Sequence, residues 1–253
     1  MLKDNQDAYG HQLYDFYKGR QVVEIVERDD GLIDPSETYP KYYLSEYKDW
    51  SLRERQAARY VKGKVLDIGC GGGRWSLYLQ KKGHDVLAVD ISPLAIKVCK
   101  LRGLRNVAVM SITEVHSRLG RFDTILMIGN NFGLFGGLKR ARQLLRRFYK
   151  MTSPDARIIA ESLDIYEPPI DPIHRQYQMR NHRRGRMPGQ VRIRIRYRNY
   201  ATPWFDYLLV SKPEMIGILR GTGWRIRRFI ASKKGPAYVA IIEKEKKIWE
   251  TTC

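Results

Sequence analysis

The chain has 253 residues, 43% of them hydrophobic, and its 46 Lys and Arg against 27 Asp and Glu give a net charge of +19. That size and apolar content suit one folded domain with an appendage and exclude a disordered chain. There is no run of 18 apolar residues, no apolar core of a secretion signal near Met1, and no metal-ligand spacing among Cys70, Cys99 and Cys253. The expectation is therefore a cytoplasmic protein with neither membrane nor metal as partner.

Residues 9–17, with Leu13, Phe16 and Tyr17, read as a short helix, 22–26 as a strand or edge segment, and the Pro- and Tyr-rich run 34–50 as irregular. Ser51 followed by Glu54 has the form of a capping box and opens a helix through Tyr60. Residues 65–67 then read as strand, 74–82 as helix, 86–90 as a second strand, and Ser92-Pro93 as the start of a helix to about Arg102. Residues 106–110 and 122–128 give strands three and four. The segment 138–151 repeats Leu138, Ala141, Leu144, Leu145, Phe148 and Met151 at helical spacing, with its basic residues on a solvated face. Strand five is expected at 156–163, another helix from Ser211, and a closing hairpin from 224–232 and 238–244 around Lys234-Gly235-Pro236. Strands alternating with helices imply an α/β sheet with helices on both faces. The domain is then 51–253, preceded by an N-terminal segment 1–50 that caps the site and interrupted by an insertion 164–210.

The stretch Val65-Leu66-Asp67-Ile68-Gly69-Cys70-Gly71-Gly72-Gly73 says most about chemistry. It is a strand running into a glycine turn and then a helix, so backbone N–H groups face a ligand that no Cβ keeps away. Asp90, at the tip of the next strand, is placed to accept hydrogen bonds from ribose hydroxyls. A nucleoside-containing cofactor follows. The absence of G-x-x-x-x-G-K-[ST] excludes a P-loop there.

This stretch resembles motif I of the class I S-adenosylmethionine-dependent methyltransferases, D/E-x-G-x-G-x-G, with Asp67 on its acid and Gly69, Gly71 and Gly73 on its glycines. The resemblance implies a Rossmann-like seven-stranded sheet whose last strand is antiparallel and inserted beside the fifth. It implies S-adenosyl-L-methionine as cofactor, with the loop including Cys70 around the methionine portion, Asp90 on the ribose and Ile91 against the adenine. Where the family often carries an acid after strand three, this chain has Ser111 and Ile112, which leaves the adenine to these two or to Glu114 if the loop curls back. Cys70 itself reads as a small residue filling a tight turn rather than a nucleophile.

Gly129-Asn130-Asn131-Phe132 follows strand four, where acceptor meets methyl group. It lacks the N/D-P-P-Y/F of nucleic-acid amino-methyltransferases and is similar to the G-N-S-F run of glycine N-methyltransferase and related small-molecule enzymes. Asn130 and Asn131 either bond the cofactor's amino-acid end and the acceptor, or only shape a turn. Tyr9 and Tyr14 of the N-terminal segment are candidate acceptor contacts. His11, Tyr9, Tyr14, His174 and Glu161 are candidate bases, none singled out by spacing, and no catalytic base is assigned.

Charge is uneven. Residues 172–205 contain no acid and nine arginines. Val191 to Arg198 alternates strictly, so Val191, Ile193, Ile195 and Tyr197 face a core and Arg192, Arg194, Arg196 and Arg198 share the opposite face of a hairpin strand. Those arginines are read as a lid over the pocket, with Arg194 and Arg196 touching an anionic acceptor. An RNA platform and an exposed sheet face are the other readings. The expected function is methyl transfer from S-adenosylmethionine to a small molecule. RNA methylation is the alternative, and cofactor binding without catalysis a third possibility. The oligomeric state is left open.

Overall fold

The computed structural model describes residues 1–167, 171–231 and 235–245. The N-terminal segment supplies helix α1 (Ala8–Tyr17), strands β1 (Glu24–Arg28) and β2 (Ile33–Ser36), and helices α2 (Thr38–Leu44) and α3 (Leu52–Ala58). Five strands follow: β3 (Val65–Ile68), β4 (Val86–Asp90), β5 (Val107–Val109), β6 (Phe122–Met127) and β7 (Thr152–Leu163). Helices α4 (Arg74–Lys81), α5 (Pro93–Leu101) and α6 (Leu138–Lys150) lie between them. Then come α7 (Pro172–Arg183), β8 (Gln190–Tyr197), β9 (Tyr200–Ala201) and β10 (Phe205–Leu208). Helix α8 (Lys212–Leu219), β11 (Trp224–Ala231) and β12 (Ala237–Lys244) complete the order.

The main sheet has seven strands in the order β11-β12-β7-β6-β3-β4-β5. Strands β3 to β7 run parallel, while β12 pairs antiparallel with both β7 and β11. Near-continuous apolar strands such as β3, buried along its whole length, are what a parallel sheet covered on both faces requires. One face packs Ala141, Leu144, Leu145 and Phe148 of α6 and Met215, Ile218 and Leu219 of α8. Burying each of the larger side chains contributes about 1.5–3 kcal/mol. The other face holds Trp50, Ala57 of α3, and Trp75 and Leu79 of α4. This is the expected Rossmann-like sheet, with the antiparallel last strand beside the fifth.

A second sheet, β10-β8-β1-β2 with β9 beside β8, joins the N-terminal segment to the insertion. The insertion contains the anticipated antiparallel pair, with Phe205 opposite Ile193, but it is not a free-standing hairpin. The other edge of β8 pairs with β1, setting Val26 opposite Ile195 and Glu27 opposite Arg194. Because side chains alternate across a strand, Glu24, Val26 and Arg28 share the inner face and Ile25 and Glu27 the outer one. Tyr197 is buried on the inner face and donates to Asp15 of α1 at 2.8 Å.

Several local readings change. The run taken as irregular contains β2 and α2, the first strand is displaced to Glu24–Arg28, and strand five begins at Thr152. Helix α7 was unmarked by its sequence because its polar composition hides the buried Tyr177 and Asn181. Arg198 does not share the arginine face: it sits at φ +51° in the turn after β8. Ser232, Lys234 and Cys253 lie outside the described residues.

Candidate active site at the carboxyl ends of the parallel strands

The glycine loop joins β3 to α4. Gly71 has φ +53°, in the left-handed region that favours glycine, and a Cβ there would lie 2.4 Å from the Tyr9 hydroxyl. Its N–H donates to Asp90 Oδ2 at 2.9 Å, and Ser92 N–H donates to Oδ1 at 2.9 Å. Burial pushes the Asp90 carboxyl up to about 6 against the backbone donors that lower it. A carboxylate offers about four acceptor positions, so capacity remains for the hydroxyls of a ribose.

Asp67 does not share that position. Its carboxylate accepts from Ser76 Oγ at 2.6 Å and anchors α4 behind the loop, where burial raises it to about 6. Cys70 Sγ lies 3.9 Å from Cys99 Sγ. The Cys99 contact and burial hold its thiol well above the usual range, so it stays protonated and fills space as anticipated. Gly69 is covered by Asn131, whose Nδ2 donates to the carbonyls of Ile68 at 3.0 Å and Gly69 at 2.8 Å. Asn131 therefore pins the loop from the end of β6 through its amide nitrogen.

Asn130 differs. It adopts φ +62°, and its Oδ1 is buried without a hydrogen-bond partner among the described residues. Ile91 is 44% exposed, a large apolar side chain bare beside the tip of β4. The Ser111 hydroxyl instead accepts from Thr113 N–H at 3.3 Å, and Glu114 accepts from Ser111 N–H at 2.7 Å, so both side chains cap the short turn after β5. Ile112 packs against the main core. A glycine cradle, a carboxylate with free acceptor capacity, an orphaned amide oxygen and a bare apolar surface fit a cofactor with ribose, amino-acid and adenine parts.

Above the loop stands a wall of tyrosines that the sequence did not reveal. Helix α1 is fixed there because Asp7 accepts from Gly10 N–H, capping the helix, and from Leu94 N–H at the start of α5 at 3.0 Å. Tyr9 meets Tyr43 edge-on at 5.1 Å between centroids, and Tyr43 meets Tyr42 at 6.0 Å. Tyr43 donates to Glu24 at 3.1 Å, and Gln12 also donates to Glu24. Tyr207 of β10 donates to the Asn130 carbonyl at 2.6 Å. Glu161 accepts from Arg53 at 2.6 Å and from Gly129 N–H at 2.7 Å, while Glu54 is paired with Arg74. Burial alone would raise Glu54, but the Arg74 guanidinium holds it below the ordinary value.

The remaining candidates lie elsewhere. Tyr14 faces Lys97 of α5 at 4.9 Å and Lys18 at 5.6 Å. His11 stacks on Tyr200 at 3.6 Å, and His174 meets Arg28 at 2.8 Å. Arg194 and Arg196 pair with Glu27 at 2.8 and 3.2 Å on the outer face of the second sheet, and Arg194 also covers Trp204. Tyr14, Arg194 and Arg196 are thus engaged with Lys97, Lys18 and Glu27, and pleat and register put both arginines on the face of the second sheet opposite Glu24. Tyr9 is the candidate from the N-terminal segment that borders the cradle.

Comparison with known proteins agrees with this geometry. A methyltransferase-domain family model matches residues 65–155. A 2-heptyl-1-hydroxyquinolin-4(1H)-one methyltransferase of Mycobacteroides abscessus is 42% identical over 72 residues, 26% of this chain and 32% of that protein. A glycine/sarcosine N-methyltransferase of Halorhodospira halochloris is 26% identical over 156 residues, 58% of this chain and 54% of that protein. The chain thus spans between a third and about half of these relatives. The crystal structure of a Bacteroides fragilis S-adenosylmethionine-dependent methyltransferase with bound S-adenosyl-L-homocysteine superimposes with a TM-score of 0.81 at 26% identity, covering 97% of this chain and 98% of that one.

Proposed function

We propose that the chain is a class I S-adenosylmethionine-dependent methyltransferase that methylates a small molecule held beneath helix α1, a reading supported by the methyltransferase-domain match and by the likeness to the Bacteroides fragilis and Halorhodospira halochloris enzymes. When bound, S-adenosylmethionine supplies an electrophilic methyl group. The chain's part is to hold and orient. Asp90 takes the ribose hydroxyls, Ile91 covers the adenine, the backbone of Gly69 to Gly73 follows the methionine portion, and Asn130 Oδ1 receives a donor from cofactor or acceptor. Tyr9, Tyr43 and Tyr207 exclude water and fix the acceptor's direction of approach. Alignment of this kind supplies several kcal/mol of barrier reduction without an acid or base.

The observation that carries the reading is the Tyr9 hydroxyl standing directly over Gly71 while Gly71 N–H bonds Asp90. A roof that close leaves room for a small acceptor and little for a polynucleotide. Calorimetry with S-adenosylhomocysteine should show one site, with nicotinamide dinucleotides inert. Tighter binding of a nicotinamide dinucleotide would sink the reading.

The RNA alternative draws on the net charge of +19 and on the arginine row, and Glu27 neutralises part of that row within the chain. We expect Arg194→Gln/Arg196→Gln to leave turnover and KM within about twofold, since exposed pairs contribute roughly 0–1 kcal/mol. Tight wild-type RNA binding that falls steeply with salt, and is lost in this double variant, would restore the alternative.

Asn130→Gly separates a turn role from a ligand role. Glycine takes positive φ without strain, so the fold should be kept or slightly stabilised. Losing the amide oxygen should weaken the cofactor or acceptor by about tenfold, the equivalent of one net hydrogen bond of roughly 1 kcal/mol or more. Unchanged binding and KM would leave Asn130 as a turn residue only.

A further inference from the structure

We infer that Glu24 is the counter-charge for an amine nitrogen of the acceptor, so that the chain is an N-methyltransferase of a cationic small molecule rather than of an anionic one. This rests on the methyl-transfer reading above and names its substrate class.

Glu24 is 2% exposed, and among the described residues it has no ion-pair partner. The other buried glutamates of the site do: Glu54 has Arg74 and Glu161 has Arg53. Buried carboxylates are stable when a cation or several donors compensate them, and a lone one lacks its complement. Burial pushes Glu24 up to about 7, with Asp34 adding to the rise and only the Gln12 and Tyr43 donors opposing it. A second observation points into the same space: Gln12 is fully buried and its Oε1 has no hydrogen-bond partner among the described residues. An ammonium brings several N–H donors, enough for Glu24 and Gln12 together.

The surrounding rings suit the same ligand. Burial keeps the hydroxyls of Tyr9, Tyr43 and Tyr207 neutral, with Asp90 and Glu24 adding to the rise at Tyr9, Glu24 at Tyr43, and Glu161 and Glu24 at Tyr207, and Tyr43 touches Glu24 directly. Neutral phenol faces attract a cation, and an aromatic cage closed by a carboxylate is a recurring way to hold an amine. The same tyrosines connect Glu24 to the cofactor cradle, Tyr9 over Gly71 and Tyr207 on the Asn130 carbonyl. An anionic acceptor would find Glu24 and Asp34 on this side, whereas the arginines of β8 lie on the outer face. Chemically, the acceptor ammonium gives one proton to the Glu24 carboxylate. The freed lone pair forms the N–C bond as the methyl carbon's bond to sulfur breaks, its electron pair returning to sulfur to leave a neutral thioether.

The test incubates the protein with methyl-tritiated S-adenosylmethionine and a cell extract, then separates RNA, protein and small molecules, the last by cation and anion exchange. Label should appear in a cation-retained small molecule. Glu24→Gln should raise that compound's KM at least tenfold while S-adenosylhomocysteine affinity, read by calorimetry, changes less than threefold. Tyr43→Phe, which keeps the ring and removes one donor to Glu24, should shift KM in the same direction by a smaller factor and guards against misfolding of the first variant. Label in the anion-retained or neutral fraction, or unchanged KM in Glu24→Gln, overturns the amine assignment alone, whereas label in RNA or protein overturns the small-molecule reading with it. Label in no fraction overturns the methyl-transfer reading with it.

Discussion

Gly71→Val should abolish cofactor binding in a chain that still folds. At φ +53° a β-branched residue is strained by about 1–3 kcal/mol, and its Cβ would sit 2.4 Å from the Tyr9 hydroxyl. Both costs are survivable against a typical total stability of about 5–15 kcal/mol, because Tyr9 belongs to a helix that can shift outward. A melting temperature lower by roughly 2–12 °C is expected for a domain of this size. The cofactor cannot shift in the same way, since the bare backbone is the surface it approaches. Calorimetry with S-adenosylhomocysteine should register a loss of about a hundredfold or more, alongside a near-native circular dichroism spectrum. Equal affinity in a folded variant would mean that this loop is not the cradle.

The main sheet was legible because its signals are local. Strand period, the Ser51–Glu54 capping box and the helix starts at Ser92-Pro93 and Ser211 each act within a few residues, and each recurs in the structure. The glycine loop was legible for the same reason. Glu24 was not. In Glu24-Ile25-Val26-Glu27-Arg28 nothing distinguishes one glutamate from the other, and their fates diverge only because β1 pairs with β8 in a particular register. Glu27 then meets Arg194 across 167 residues of sequence, while Glu24 turns inward to Gln12 and Tyr43. The partner of the arginines was hidden by the same long-range pairing: alternation fixed their common face, but not that Glu27 would meet Arg194 and Arg196 on it.

The distribution of charge follows from that pairing. Basic residues of α6 and of the outer face of the second sheet contribute to the net +19, and Arg142 and Arg147 of α6 also donate to backbone carbonyls of neighbouring segments. The cradle and the tyrosine wall hold Asp7, Glu24 and Asp90 without an ion pair among the described residues, while Glu161 and Glu54 are matched there by Arg53 and Arg74. A basic protein with an acidic site attracts polyanions to its surface without choosing them as substrates, since exposed charge acts on association and local acid–aromatic geometry on recognition.

Titration of the cradle should be visible as a loss of cofactor affinity in acid. Asp90 is pushed up to about 6 by burial, above the ordinary aspartate value near 4. Between those two values the folded chain binds more protons than the unfolded one, so in the absence of ligand this group makes the fold more stable as pH falls and less stable as it rises through about 6. Cofactor binding runs the other way. Ribose hydroxyls donate to an ionised carboxylate, so binding requires loss of the proton, and affinity should drop about tenfold for each unit below pH 6. Titrating with S-adenosylhomocysteine and no acceptor keeps Glu24 out of the measurement. Asp90→Asn should bind about 10–100-fold more weakly at pH 8, the loss of charge-assisted hydrogen bonds worth roughly 1.5–3 kcal/mol, and its affinity should be nearly flat with pH. The gap between wild type and variant should therefore close as the solution is acidified. A variant that kept the wild-type slope would transfer the titration to Asp67, the other buried aspartate near 6, and take Asp90 off the ribose.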